Sequence, residues 1–261
     1  MATQSCPQYD LHYFNKVCPI GPANGVRVVE DLAAGMPEFN VKQYYGSQPS
    51  IFVDYDHVVV AQDRETSCVI GLFGARWLRC DDGTKFLYLW TAMIADQYRA
   101  GKLFKRMFSF FFAQIVEEGG LENFPQLVVT KTYNPVVYSL IHSFAANEDR
   151  VRVYPTIPAT SQSEAAITLA RKIARAISPQ LVLDEQSGKV VGGQAMVAPD
   201  FFPRMEMSNS AAVNQHFATQ LTRNDQILCI LQIPDASRPT LFERAIGRRA
   251  KERKLVVEGA A

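Results

Sequence analysis

The chain has 261 residues, 48% of them hydrophobic and 20% charged, a length that can bury a core without staples. Its 27 Lys and Arg balance 26 Asp and Glu, and a net charge of +1 offers no global field to gather nucleic acid or an anionic membrane. The five cysteines (Cys6, Cys18, Cys68, Cys80, Cys229) are odd in number and form no Cys-x-x-Cys pair, which argues against a disulfide framework and a standard zinc site and predicts reduced thiols in a cytoplasmic, metal-free protein.

Residues 1–25, rich in Cys, Pro, Gly, Asn and aromatics, predict an irregular lead-in, and Met1–Asp10 lacks the basic segment and apolar run of a signal peptide. Val26–Leu32 fits a short strand or the entry to a helix, and Asn40–Gly46 a helical turn. Asp56–Gln62 and Ser67–Arg79 are β-branched and apolar and read as an antiparallel hairpin with a polar tip at Asp63–Thr66. Gly71 and Gly74 within the second strand suggest a bulge or a close backbone approach. After the turn Asp81–Thr84, Lys85–Ile94 is almost continuously apolar, as a strand covered on both faces would be. A loop, Ala95–Ala100, leads to a helix over Gly101–Glu118 with Leu103, Met107, Phe110, Phe111 and Ile115 at helical spacing. Its length and its Lys102, Lys105 and Arg106 argue against a membrane span. Gln126–Thr132 is a strand, Asn134-Pro135 opens a helix that runs to Ala145, and Asp149–Tyr154 is a short strand.

Beyond Pro155 the texture changes. Glu164–Ile177 is an amphipathic helix, Leu181–Leu183 and Lys189–Val191 a small hairpin, Asn209–Thr219 a helix, Asp225–Ile233 an apolar strand and Thr240–Lys254 a basic helix. This divides the chain into a lead-in (1–25), a core (26–155), an elaboration (156–224) and a last strand with a basic helix (225–261). The terminal cations Arg244, Arg248, Arg249, Lys251, Arg253 and Lys254 have little aromatic company beyond Phe242, so they read as a solvated helix face and no nucleic-acid partner is predicted.

The junction Ile94-Ala95-Asp96-Gln97-Tyr98-Arg99-Ala100-Gly101-Lys102-Leu103-Phe104 ends a strand, turns tightly and begins a helix. Such a turn exposes backbone N–H groups at the positive end of a helix dipole, which suits a pyrophosphate, and Arg99 and Lys102 add charge. With Leu127–Tyr138 (LVVTKTYNPVVY) and the preceding hairpin, this junction resembles the GNAT superfamily of acyl-CoA-dependent N-acyltransferases over residues 26–155, with a last sheet strand at Asp225–Ile233. The chain departs from the family pattern in several places. Gly101 comes one position early, Lys102 stands where the motif's first glycine falls, and Phe104 replaces its last small residue. Ile141 holds the usual tyrosine position, with Tyr138 four residues after Asn134, and the third strand has no Glu.

The resemblance implies an α/β (α+β) fold with a mixed, mainly antiparallel twisted sheet flanked by helices, and a C-terminal elaboration. It implies acetyl-CoA or another acyl-CoA as co-substrate, no metal, and a small-molecule or peptide amine as acceptor; oligomeric state is left open, a homodimer included. Cofactor contacts fall on Ile94, Gln97, Arg99, Ala100, Gly101, Lys102, Leu103 and Asn134, where Asn134 serves equally well as a helix cap. Tyr88, Trp90 and Thr91 would flank the acyl group or acceptor. Tyr138 is the candidate general acid and His142 a second proton carrier, though a core aromatic and a structural His fit the same positions. His57 or Asp54 could act as a base through water. Two other functions are consistent with these residues. One is an inactive module of this fold that binds CoA or a protein. The other is a long-chain acyltransferase with a channel built by Phe104, Phe108, Phe110, Phe111, Phe112 and the elaboration.

Overall fold

The computed structural model describes residues 2–5, 8–46, 52–99, 101–145, 148–158, 161–192, 206–222 and 224–246. In chain order the elements are β1 (Ala2–Ser5), β2 (Tyr9–Asn15), α1 (Pro22–Gly35), α2 (Val41–Gly46), β3 (His57–Asp63), β4 (Val69–Arg79), β5 (Lys85–Ile94), α3 (Leu103–Gly119), β6 (Leu127–Thr132) and α4 (Pro135–Ala145). They continue with β7 (Arg152–Tyr154), α5 (Glu164–Ile177), β8 (Val182–Asp184), β9 (Lys189–Val191), α6 (Ala211–Gln220), β10 (Gln226–Gln232) and α7 (Arg238–Ile246).

All ten strands form one sheet in the order β1-β2-β3-β4-β5-β6-β10-β9-β8, and β7 pairs with β10 beside β9. Every pairing is antiparallel except β5 with β6. This is the expected mixed, mainly antiparallel sheet flanked by helices. The expected irregular lead-in is corrected: residues 1–25 contain β1, β2 and the start of α1. In β2, Tyr9, Leu11 and Tyr13 alternate inward against outward Asp10 and His12, a period of two. The ambiguous Val26–Leu32 lies inside α1, with Pro22 in its first turn and Val28, Val29 and Leu32 on its buried side.

The sheet is covered on both faces. On one face α3, α4, α6 and α7 enclose the large core around Phe73, Leu87, Leu89, Phe111, Tyr138 and Phe217. On the other, α1 and α2 cover β3–β5 through Leu32, Tyr44, Tyr45 and Leu72, and α5 covers β5, β6 and β10 through Ile173, Tyr88 and Val129. Trp90 packs against both of these smaller clusters, at the seam between them.

Two irregularities at the centre of the sheet set up the site. The β4–β5 register shifts between Gly74 and Ala75, whose partners are Thr91 and Leu89, so Trp90 is an extra, bulged residue. The parallel β5–β6 ladder is confined to Leu87↔Val128 and Tyr88↔Val129. Beyond it the two strands part, and the Thr130 hydroxyl donates to the Leu89 carbonyl at 2.9 Å where a ladder bond would otherwise stand.

Candidate cofactor and substrate site

The bulge puts two consecutive side chains of β5 on the same face. Trp90 packs on Tyr55 with ring centroids 4.9 Å apart, and the Thr91 hydroxyl is shared by Tyr55 at 2.5 Å and Tyr44 at 3.1 Å. Tyr55 lies wholly inside, and burial pushes its hydroxyl pKa well up, so it stays protonated. Tyr88 is buried below the α5 helix. On the opposite face Ala92 is exposed and Ile94 half-buried, although β5 is a central strand. The exposure marks the opening between β5 and β6.

That opening leads along β5 to α3. The α3 N-terminus has no side-chain cap and no acidic residue in its first turn. Lys102, the capping residue, is exposed, as are Lys105 and Arg106, while Leu103 is buried as the anchor. The first hydrogen bond of the helix is Arg106 N–H to Lys102 O, so the N–H groups of Lys102, Leu103, Phe104 and Lys105 lie ahead of the ladder. The helices α4, α5 and α6 differ: Asn134 accepts from Val136 N–H at 2.8 Å, and Ser163 and Ser210 cap theirs.

The predicted residues separate into two groups. Ile94, Lys102 and Leu103 lie along the opening and the helix start, together with Gly101, whose N–H donates to Tyr98 O; Gln97 lies within a short 3-10 turn. Arg99 is occupied elsewhere. Its Nε donates to Ile94 O at 3.0 Å and lies 3.1 Å from Asp96, its Nη1 donates to Glu206 at 2.8 Å, and its guanidinium stacks 4.4 Å from the Phe39 ring centroid. It is a pin for the loop rather than a free charge. Ala100 lies outside the described residues, as do Cys6 and the cations from Arg248 onward.

Tyr138 is fully buried, its hydroxyl donating to Pro155 O at 2.7 Å and accepting from Ile157 N–H at 3.2 Å. Burial raises its pKa. Both bonds tie α4 to the chain after β7. His142 is exposed and lines a surface hollow with Val153, Thr156 and Gln162. Asn134 is the α4 cap described above.

His57 is not a base at this site. It is buried at the other end of α3, accepting from Trp77 Nε1–H at 3.1 Å, with Nδ1 2.6 Å from the Tyr13 hydroxyl and 3.7 Å from Glu118. Burial lowers its pKa, against the opposing pull of Glu118 and Asp56. The folded state therefore takes up this proton at lower pH than the unfolded chain does, near 6.5. Stability present above pH 6.5 should fall as pH drops from there toward 5, before the carboxylates titrate. His216, also lowered by burial, adds to the same slope. Urea unfolding at half-unit pH steps should show the loss, and His57→Gln should make it shallower.

Two residues to which the sequence assigns no role also face the seam, Arg76 on β4 and Lys131 on β6. The available signal was a lysine in the otherwise apolar LVVTKT and an arginine inside the apolar VIGLFGARWLR. Among the described residues no helix is long and apolar enough to cross a membrane, and no group of three or more His, Cys, Asp or Glu side chains is placed to hold a metal.

No protein-family model matches the chain, and no curated protein matches it in sequence. Among solved structures it is similar to the GNAT-family N-acetyltransferase YhbS of Escherichia coli, in complex with CoA, at 15% identity over 54% of this chain and 71% of that one, with a TM-score of 0.36. It is similar to the diaminobutyrate acetyltransferase of Paenibacillus lautus, in complex with L-2,4-diaminobutyric acid and coenzyme A, at 15% identity over 55% and 80% of the two chains, with a TM-score of 0.35. A mosquito arylalkylamine N-acetyltransferase-like protein aligns over 84% of this chain and 98% of its own, at 12% identity and a TM-score of 0.37.

Proposed function

We propose that the chain is an N-acyltransferase that moves an acyl group, most simply acetyl, from acyl-CoA to an amine. The observation that carries this reading is the parting of β5 and β6 after a bulge, with the free edge of β5 leading to an uncapped helix start that carries no acid. Its donors fit the co-substrate's two recognisable parts. The N–H groups of Lys102, Leu103, Phe104 and Lys105, with the ammonium groups of Lys102 and Lys105, suit a pyrophosphate. The backbone of Trp90–Met93, beyond the β6 ladder, suits an arm rich in amides.

An acyl-CoA supplies an activated thioester. The chain's part is to hold that thioester and the amine together, which removes the entropic cost of their encounter. Backbone N–H groups at the bulge would polarise the carbonyl. Trp90, half-buried, would line the acceptor side, with Tyr88 and Thr91 packed behind it. With Tyr138 tied to Pro155 and His142 facing outward, positioning rather than a dedicated side-chain acid carries the rate in this proposal.

Calorimetric titration with CoA and acetyl-CoA tests it. The wild type should bind both, and the double variant Lys102→Glu/Lys105→Glu should bind at least about ten-fold more weakly, a loss of ~1.4 kcal/mol or more. Both side chains are exposed, so the melting temperature should hardly move. Arg99 is a poor probe, because reversing its charge would set it against Asp96 and Glu206 and undo the loop itself. A wild type that binds neither ligand at millimolar concentration would sink the proposal, and binding without transfer to any amine would favour the inactive CoA-binding module.

A further inference from the structure

Arg76 and Lys131 form a pair of cations with no counter-ion among the described residues. Arg76 lies opposite Tyr88 in the β4–β5 ladder, and its guanidinium sits 4.3 Å from the Trp90 ring centroid and 5.8 Å from that of Tyr88. Its Nε is buried and makes no hydrogen bond. Lys131 follows Val129 by two residues as Trp90 follows Tyr88, and Val129 is the partner of Tyr88, so Lys131 stands across the opening from Trp90 on the same face. Each cation is half-buried and, among the described residues, neither has an ion pair. Burial, and then the neighbouring Arg76, push the Lys131 pKa down to about 8.

Two like charges drawn out of water side by side destabilise a fold unless an anion joins them. Here they sit beside Tyr88, Trp90 and Thr91, at the seam between the α1–α2 layer and α5. We infer that this pair is the recognition site for a carboxylate on the amine acceptor, so that the substrate class is an amino acid or another amine bearing a carboxylate. The Arg76 fork matches a planar carboxylate, Lys131 adds a point charge, and the Trp90 ring holds the guanidinium in place from below. A phosphate on the acceptor would engage the same donors, so the experiment below sets phosphorylated amines against carboxylates. The inference rests on the acyltransferase reading for the fate of the amine, but the carboxylate site itself can be measured without catalysis.

The experiment has two arms. In the first, α- and ω-amino acids are compared as acetyl acceptors with the amines that lack only the carboxylate, for example phenylalanine with phenethylamine and 6-aminohexanoate with hexylamine. The best acid should exceed its partner by about ten-fold or more in kcat/KM, mainly through KM. Arg76→Gln and Lys131→Gln should each bring that ratio down toward one, and Lys131→Arg should keep most of it. CoA affinity in the variants should stay within about two-fold of wild type, which shows that they are folded. In the second arm the same acids are titrated calorimetrically into protein without coenzyme, where the wild type should bind the best acid and the two Gln variants should not. Acids that bind through these residues while neither CoA binding nor transfer occurs would keep the carboxylate site and remove the acyltransferase reading. CoA binding and transfer with no advantage for any acid, or an advantage unchanged in both Gln variants, would overturn the inference. So would a preference for phosphoethanolamine or O-phosphoserine over every carboxylate.

Discussion

Replacing Phe111 with Ala should lower the stability of the fold by about 3–5 kcal/mol, read as a fall in the denaturant midpoint with the slope unchanged. Phe111 is fully buried in α3, and its ring meets Phe73 edge-on at 4.7 Å, Phe112 at 5.3 Å and His57 at 6.0 Å. Truncation removes the largest type of apolar side chain from a site fixed on three sides, so the surroundings can collapse only in part. The loss is a large share of the roughly 5–15 kcal/mol available to a domain. Phe104, on the same helix but only half-buried, meets Phe73 at 5.8 Å and should cost clearly less when truncated. The difference between the two is the sharper test, because helix propensity changes equally in both. An equal loss would mean that the aromatic cluster is not the centre of the core.

Gly74→Ala should be the most damaging single methyl group near the acceptor side, at about 1–3 kcal/mol from overpacking and more once Tyr55 is displaced. A Cβ on Gly74 would lie 2.5 Å and 2.6 Å from two carbons of the Tyr55 ring. That ring cannot swing aside, because it packs between Phe52 at 5.8 Å and Trp90 at 4.9 Å and its hydroxyl is bonded to Thr91. Moving it disturbs both residues that the bulge presents. Thermal unfolding should therefore show a lower midpoint, and steady-state kinetics a higher KM for the amine. Gly71→Ala is the comparison, since its Cβ would meet the Met107 sulfur at 2.9 Å, near the end of a flexible side chain that can turn away. The double variant Gly74→Ala/Tyr55→Leu should lose less than the sum of its parts, the mark of a shared steric contact.

Much of the fold could be read locally. Lys85–Ile94 and Glu164–Ile177 occupy the spans their periodicities predict, and the two glycines of β4 mark a bulge and a close approach: Ile70, beside Gly71, is an extra residue against β3, and Tyr55 presses on Gly74. The strand β2 is hard to see in the sequence because its inward residues are tyrosines and a leucine alternating with Asp10 and His12 in a segment full of turn formers. The helix α1 is ambiguous in the sequence because Gly25 interrupts its pattern. The site was less legible, for a physical reason: its decisive contacts join residues far apart in the chain. The spacing of the junction draws attention to Arg99, but only the folded chain brings Glu206 and Phe39 onto it. In the same way Tyr138 looks like a proton donor until Pro155 and Ile157 are seen to take its hydroxyl. Nothing in the sequence gives Arg76 or Lys131 a role, and they come to one seam only because β4, β5 and β6 are neighbours.

The parting of β5 and β6 has a consequence for how a ligand would be received. A strand edge normally has to be exposed by breaking ladder bonds, and that work is subtracted from the affinity of whatever pairs with it. Here the Thr130 hydroxyl takes up the Leu89 carbonyl just past the last closed rung, and from Trp90 to Met93 the β5 edge carries no ladder pairing to β6 among the described residues. The wedge is preorganised, and none of a ligand's binding free energy is consumed in separating the strands.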